Sequence, residues 1–206
     1  KGEFVLFANC DDYCDDIMIE KLVFALQKNA SVGVAYCRSL LVDVDGNNIG
    51  DDFNIRERSF QLKCATDSLI LRCEMQKFLL KSCVIPNLSC ALFHRDCFSN
   101  TKGFSADFLI CSDWDLFFRI SKRFDFFYVS SAHNRFRQHA LTVRSAHKGK
   151  VTMDEYFEII LGNMREIEID FRLKCRVRFE IMCLWADHIL DADLKGWRDF
   201  NHHLHK

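Results

Sequence analysis

Proline is almost absent from this chain, with one residue in 206, and glycine is sparse at eight. No Pro- or Gly-rich linker, internal repeat or low-complexity segment divides the sequence. No apolar run reaches the length of a membrane-spanning helix, and Lys1-Gly2-Glu3 does not begin a signal peptide. An excess of positive charge is also missing: 28 Lys and Arg stand against 29 Asp and Glu, a formal net charge of -1. That balance excludes the basic character expected of a nucleic-acid-binding protein as a whole. Eleven cysteines are present without a single Cys-x-x-Cys, Cys10 and Cys14 being the closest pair. The odd count and the scatter argue against a zinc site and against a full set of disulfides. Cys83, Cys90, Cys175 and Cys183 sit in apolar runs and are expected as buried thiols, which implies a reducing, cytoplasmic setting.

What the chain does have is core material. Hydrophobic residues make up 49% of it, with 20 Phe and 3 Trp, enough for one sizeable domain and an appendage. Glu3–Ala8 is a short apolar run of the buried-strand kind, and Asp15-Asp16 precede an amphipathic stripe at Ile17, Ile19, Leu22, Val23 and Leu26 that predicts a helix. A strand follows over Ser31–Val42, with Asp45-Gly46-Asn47-Asn48 as a turn into another short strand. Residues 51–64 read as a polar loop, and Ala65–Lys81 as a helix through Leu69, Leu71, Met75, Phe78 and Leu79. A turn at Pro86-Asn87, a strand at Leu88–Phe93, a short helical piece and a turn at Lys102-Gly103 come next. Ser112 and Asp115 form a capping-box variant that opens a helix to about Arg123. A strand at Phe126–Ser130 and an extended segment at His133–His139 complete this part. Strands alternating with helices predict the α/β class with a mostly parallel sheet.

From Val151 the texture changes, and we place a boundary there: residues 1–150 as one domain, 151–206 as a helical extension packed on it. Thr152-x-x-Glu155 has the capping-box form, and Phe157, Ile160, Met164, Ile167, Phe171, Cys175, Met182, Trp185 and Ile189 recur at helical spacing. Glu166–Ile181 also alternates polar and apolar as a strand would. The acid-before-base pairs Glu168/Arg172 and Asp170/Lys174 are useful only on a helix and favour that reading. The basic run Arg172, Lys174, Arg176, Arg178 is either a solvated face balanced by Glu166, Glu168 and Asp170 or a contact for an anionic membrane surface.

Three constellations carry chemistry. The run Phe4–Ala8 ends in Asn9-Cys10-Asp11-Asp12, and a strand that delivers paired carboxylates at its end suits a divalent cation and the phosphates it carries. The plain alternative is that Asp11 and Asp12 serve as turn and cap residues. Ser112-Asp113-Trp114-Asp115-Leu116 sets a carboxylate at a helix start beside an aromatic, which suits a general base or, more simply, complements the helix dipole. Trp114 is either a core residue or a platform for a sugar face. Arg135-Phe136-Arg137-Gln138-His139 could bind a diphosphate and a metal, or be an exposed basic strand.

Taken in this order the segments resemble family 2 glycosyltransferases, across about residues 1–145. The family's strand ends in Asp-x-Asp-Asp, which Asn9-Cys10-Asp11-Asp12 matches except that Asn9 replaces the first Asp. Ser112-Asp113-Trp114-Asp115-Leu116 with Arg119 matches its Glu-Asp-aromatic-acid-Leu pattern, with Ser112 for Glu, and Arg137 with His139 resembles its Arg-x-His segment. Ser31–Tyr36, the Asp45-Gly46 turn and Lys102-Gly103-Phe104, similar to an acceptor-side loop, add to the likeness. The resemblance implies a partial GT-A fold and inverting transfer of a sugar from a nucleoside-diphosphate sugar to a glycan, lipid-linked or other hydroxyl acceptor. It implies Asp113 as base, Asp11 and His139 at a Mn²⁺ or Mg²⁺ ion, and Asn9, Asp12, Trp114 and Arg137 at the substrates. Members place a nucleotide-binding portion before the Asp-containing strand, so the chain is expected to lack it. The first strand would then be an open sheet edge suited to a homodimer. The alternative function is an inactive relic of the fold that acts as an interaction module. A location in the cytoplasm, or at the inner face of the membrane, is the matching expectation.

Overall fold

The computed structural model describes residues 2–99, 101, 103–139, 150–184 and 186. The chain divides into two compact units, Lys1–Thr142 and Val143–Lys206.

The first unit is organised by two long strands, β3 (Val32–Val42) and β7 (Asp125–Arg137), which pair in parallel from Val32↔Asp125 to Val42↔Arg137. Val34 to Cys37 are wholly buried, so this strand reads as a continuous apolar run, as a strand covered on both faces must. Gly33 is required by close approach: a Cβ there would lie 2.6 Å from Phe124 and 2.7 Å from the Cys97 sulfur. Along their first halves this pair is flanked by β6 (Ala91–His94) on β3 and by β5 (Ser68–Ile70) on β7. Along their second halves the flanks are β4 (Asn48–Asp51) and β2 (Tyr13–Cys14). β1 (Phe4–Leu6) closes the far edge against β6.

The sheet is therefore mixed rather than mostly parallel: β3·β7 is its parallel pair, and the other recorded pairs are antiparallel. The α/β class stands, and β1, β3 and β7 do run the same way. Alternation of strands and helices fixes a crossover but not its neighbours, and β6 inserts between β1 and β3 in the opposite sense.

Helix α1 (Met18–Lys28) buries Met18, Leu22, Ala25 and Leu26 at helical spacing. The segment 51–64, read as a loop, holds a single 3-10 turn at Phe53–Ile55 and helix α2 (Arg58–Lys63). Glu57 caps α2, accepting from the backbone N–H of Ser59 (2.8 Å) and Phe60 (3.2 Å). Part of the helix read over Ala65–Lys81 is β5; helix α3 is Arg72–Leu79. The strand read over Leu88–Phe93 begins as a 3-10 turn, Leu88–Cys90. Helix α4 is Ser112–Ser121 with Cys111 at its N-cap and no side-chain cap, so Ser112 lies inside the first turn and does not close a capping box. The two segments at Phe126–Ser130 and His133–His139 are largely one strand, β7. Extra residues around Ser130 and His133 interrupt its register with β3, and Asp67 and Asp15 respectively hold them.

In the second unit, α5 (Lys150–Glu166) buries Ile159, Ile160 and Met164. Thr152 lies within it rather than at its cap. Residues 171–184 form α6, and the Asp170 carboxylate accepts from the Leu173 N–H (2.9 Å) at its start. The helical reading of the alternating stretch is right for 171–181, and the four-apart ion pair seen is Arg176–Glu180 at 2.8 Å. The single apolar stripe expected along the tail is not what forms. The break at 167–170 restarts the helical phase, so Val177 and Ile181 are buried while Phe171, Cys175 and Met182 are exposed. Trp185 and Ile189 lie outside the described residues. Burial pushes the Tyr156 phenol of α5 up to about 12, with Glu180 of α6 adding to the rise. No described helix is long and apolar enough to cross a membrane. No disulfide joins any of the eleven cysteines; Cys90 is buried as expected, whereas Cys83 is half-buried and Cys175 and Cys183 are exposed.

Candidate active site

β1, β3 and β7 end on one side of the sheet, and the segment after β1 is anchored there by aromatic contacts. The Phe7 ring meets Phe104, Phe93 and Phe98 at centroid distances of 5.1, 5.6 and 5.8 Å. The chain then passes through Asn9–Asp12 into β2, whose Tyr13 pairs with Arg135 near the end of β7. The two carboxylates are thereby delivered to the carboxyl end of β7, where Arg137 and His139 follow.

Asp12 is held from three directions. Its Oδ1 accepts from the Arg137 backbone N–H (2.9 Å), and its Oδ2 accepts from the Ser89 hydroxyl (2.6 Å) and the Asn9 amide (2.9 Å). The Ser89 hydroxyl also lies 2.6 Å from Asn87 Oδ1, so its one proton serves Asp12 and Asn87 in turn, and Asn134 Nδ2 reaches Asn87 Oδ1 at 3.2 Å and Ser39 Oγ at 3.1 Å. Beyond Ser39, the buried Asp52 accepts from the Ser39 N–H (2.6 Å) and pairs with Arg56 at 3.2 Å. Asp12 thus stands at the mouth of a polar network that runs into the core and organises the segment around it. No motif signals this network; its only sequence trace is polar residues, Ser39 and Asn134, inside otherwise apolar strands. Asp12→Ala should remove the acceptor of the Arg137 N–H and of the Asn9 amide, and leave the Ser89 proton to Asn87 alone. We expect a loss of about 1–3 kcal/mol in chemical denaturation.

Asp11 faces the other way. Its Oδ2 lies 3.0 Å from His139 Nε2, and that hydrogen bond is the first cause holding its carboxyl below the usual range. Both side chains remain part exposed, Asp11 at 39% and His139 at 26%. Arg137 braces the pair: Nε donates to the Asp11 carbonyl (2.9 Å), and Nη1 donates to the carbonyls of Asp43 (2.8 Å) and Val44 (2.6 Å). Its guanidinium also lies 5.7 Å from the Tyr13 ring centroid. Asn9, Asp11, Asp12, Arg137 and His139 are therefore brought together from the two ends of the first unit.

Asp113 and Trp114 belong to a different element. α3 starts beside Asp125, where Arg72 N donates to the Asp125 carboxylate (2.7 Å), and its other end meets α4, where Trp114 Nε1 donates to the Leu79 carbonyl (3.1 Å). Gln76 reaches the Ser121 carbonyl at 3.0 Å, so α3 and α4 lie antiparallel and Asp113 is at the end of the pair remote from the amino end of β7. The Asp113 Oδ1 accepts from the Trp114 N–H at 2.7 Å. Trp114 is only 7% exposed, so its ring packs in the core rather than presenting a face to a ligand. Arg119 pairs with Asp115 at 2.7 Å one turn on.

The donor set at Asp11 and His139 is a carboxylate and an imidazole. Among the described residues no three His, Cys, Asp or Glu side chains gather into a metal cage. A hard divalent cation that takes its remaining ligands from phosphate and water needs only one or two protein donors, so the pair fits such an ion.

The mixed sheet, with carboxylates grouped where β1 and β7 end, has a GT-A-like glycosyltransferase fold. Residues 1–160 match the family described as glycosyltransferase like family 2, and the chain belongs to that family. Among solved structures it is similar to the crystal structure of S. aureus TarS 1-349, with a TM-score of 0.53 and 14% identity. That match covers 88% of this chain and 46% of the other, so the chain spans less than half of that protein's length. No curated protein sequence matches significantly.

Proposed function

We propose that this chain is the metal- and acceptor-side part of an inverting glycosyltransferase that moves a sugar from a nucleoside-diphosphate donor to an acceptor hydroxyl. The observation that carries it is the pairing of Asp11 with His139 across the first unit, braced by Arg137, in a family member. Asp11 and His139 would hold Mn²⁺ or Mg²⁺, which when bound neutralises the diphosphate leaving group. Arg137 keeps the Asp11 backbone and the 43–44 loop in register, and any diphosphate contact it makes is additional to those bonds. Asn9 is held on Asp12 through its amide, which leaves its carbonyl oxygen as an acceptor for a donor hydroxyl. Asp113 would take the proton of the acceptor hydroxyl as that oxygen attacks the anomeric carbon. Eleven cysteines without a disulfide agree with a reducing, cytoplasmic setting.

The test is binding and turnover of a panel of nucleoside-diphosphate sugars with Mn²⁺, with Mg²⁺ and with chelator. Asp11→Asn and His139→Ala should each weaken metal-dependent donor binding by about tenfold to a hundredfold, the worth of a charged contact of about 1.5–3 kcal/mol. Chelator should remove the same increment from the parent and little from either variant. Donor binding indifferent to metal and to both substitutions would end this assignment and leave the chain as an interaction module of glycosyltransferase descent.

A further inference from the structure

We propose that α6 docks on an anionic phospholipid surface, lying in the headgroup plane with its outer face inserted. Phe171, Cys175, Phe179 and Met182 recur at intervals of four, four and three residues, which aligns them along one side of a helix. That side is opposite the buried Val177 and Ile181, and it carries large apolar groups in water: Phe171 is 76% exposed, Phe179 67% and Met182 67%. Single exposed apolar residues are ordinary, but two phenylalanines and a methionine on one stripe are not.

The charges say what covers the stripe. Arg178 borders it on one side and Arg172 on the other, both exposed, with Arg176 next to Arg172 and ion-paired to Glu180. In the described part of α6 four basic residues stand against one acid, Glu180. Basic residues along both borders of an apolar stripe match a surface that is apolar below and anionic above, which is the layering of a bilayer with acidic headgroups. A protein partner's apolar patch would give the Arg172 and Arg178 cations at the two borders no anion to meet, and a nucleic acid would leave the phenylalanines in water. The proposal rests on α6 alone and is independent of the transferase reading.

The experiment is co-sedimentation of the whole chain with vesicles of phosphatidylcholine, with and without about a third phosphatidylglycerol. Binding should require the anionic lipid and should weaken in high salt. Arg172→Glu with Arg178→Glu, and separately Phe171→Ser with Phe179→Ser, should each lower the partition coefficient about tenfold or more. These side chains are exposed, so helix content by circular dichroism should not change. If a variant loses its fold, the lipid and salt dependence of the parent decide instead. Absence of binding to anionic vesicles, or equal binding to neutral ones, overturns the proposal. So does a dimer in light scattering, or binding of a labelled oligonucleotide, that the same substitutions abolish while vesicle binding is absent.

Discussion

In a form of the protein competent for sugar transfer, Asp113→Asn should abolish transfer while donor affinity stays close to that of the parent. Asparagine has the same shape and keeps an oxygen to accept the Trp114 N–H, now at 2.7 Å, so the first turn of α4 is preserved. What is lost is the ability to take a proton from the acceptor hydroxyl, a contribution of about 10²–10⁴ in rate. Because the proton moves only in the transition state, kcat and kcat/KM should fall together. Steady-state kinetics with the preferred donor, alongside equilibrium donor binding, makes the comparison. Turnover within a few-fold of the parent would assign the base to another residue.

The second large effect is on stability. Phe60→Ala should destabilise the first unit by about 3–5 kcal/mol, read as a shift in the urea midpoint at constant slope. Phe60 is 1% exposed, and its ring meets Phe78 at 5.5 Å, Tyr128 at 5.4 Å and Phe53 at 6.2 Å. Removing it opens a cavity between α2, α3 and β7 that the stiff aromatic neighbours cannot collapse to fill. The result also tests α2, since a true loop at 51–64 would tolerate the change with a loss below about 1 kcal/mol. Spectra at saturating denaturant should match between parent and variant.

That pair of predictions separates two kinds of legibility. Asp11, Asp12 and Asp113 are readable because each ends or opens an element whose apolar pattern is local. Phe60 is not, because the six residues of α2 are too few to display a helical period, and the helix is held by the Glu57 cap and by burial of one ring. The same holds for β5, whose three residues become a strand only because Phe126–Tyr128 offers them an edge. The tail failed in the opposite way. Its apolar spacing is long enough to read, but a single stripe continued across the break at 167–170 gives the faces of α6 in reverse, because the break resets the helical phase.

By itself the sequence determined which segments are strands and helices in β1, α1, β3, α4 and β7, and that carboxylates stand at the end of the first strand and the start of α4. Those are properties of neighbouring residues, set by side-chain period and end chemistry. Tertiary structure alone decided that β6 lies between β1 and β3, that Asp12 is held by Ser89 and the Arg137 N–H, and that His139 meets Asp11. These contacts join residues far apart in the chain, and no local period records them. They follow from which apolar faces can be buried together, and polar groups such as Ser89 and Asn134 then take the partners that burial leaves within reach.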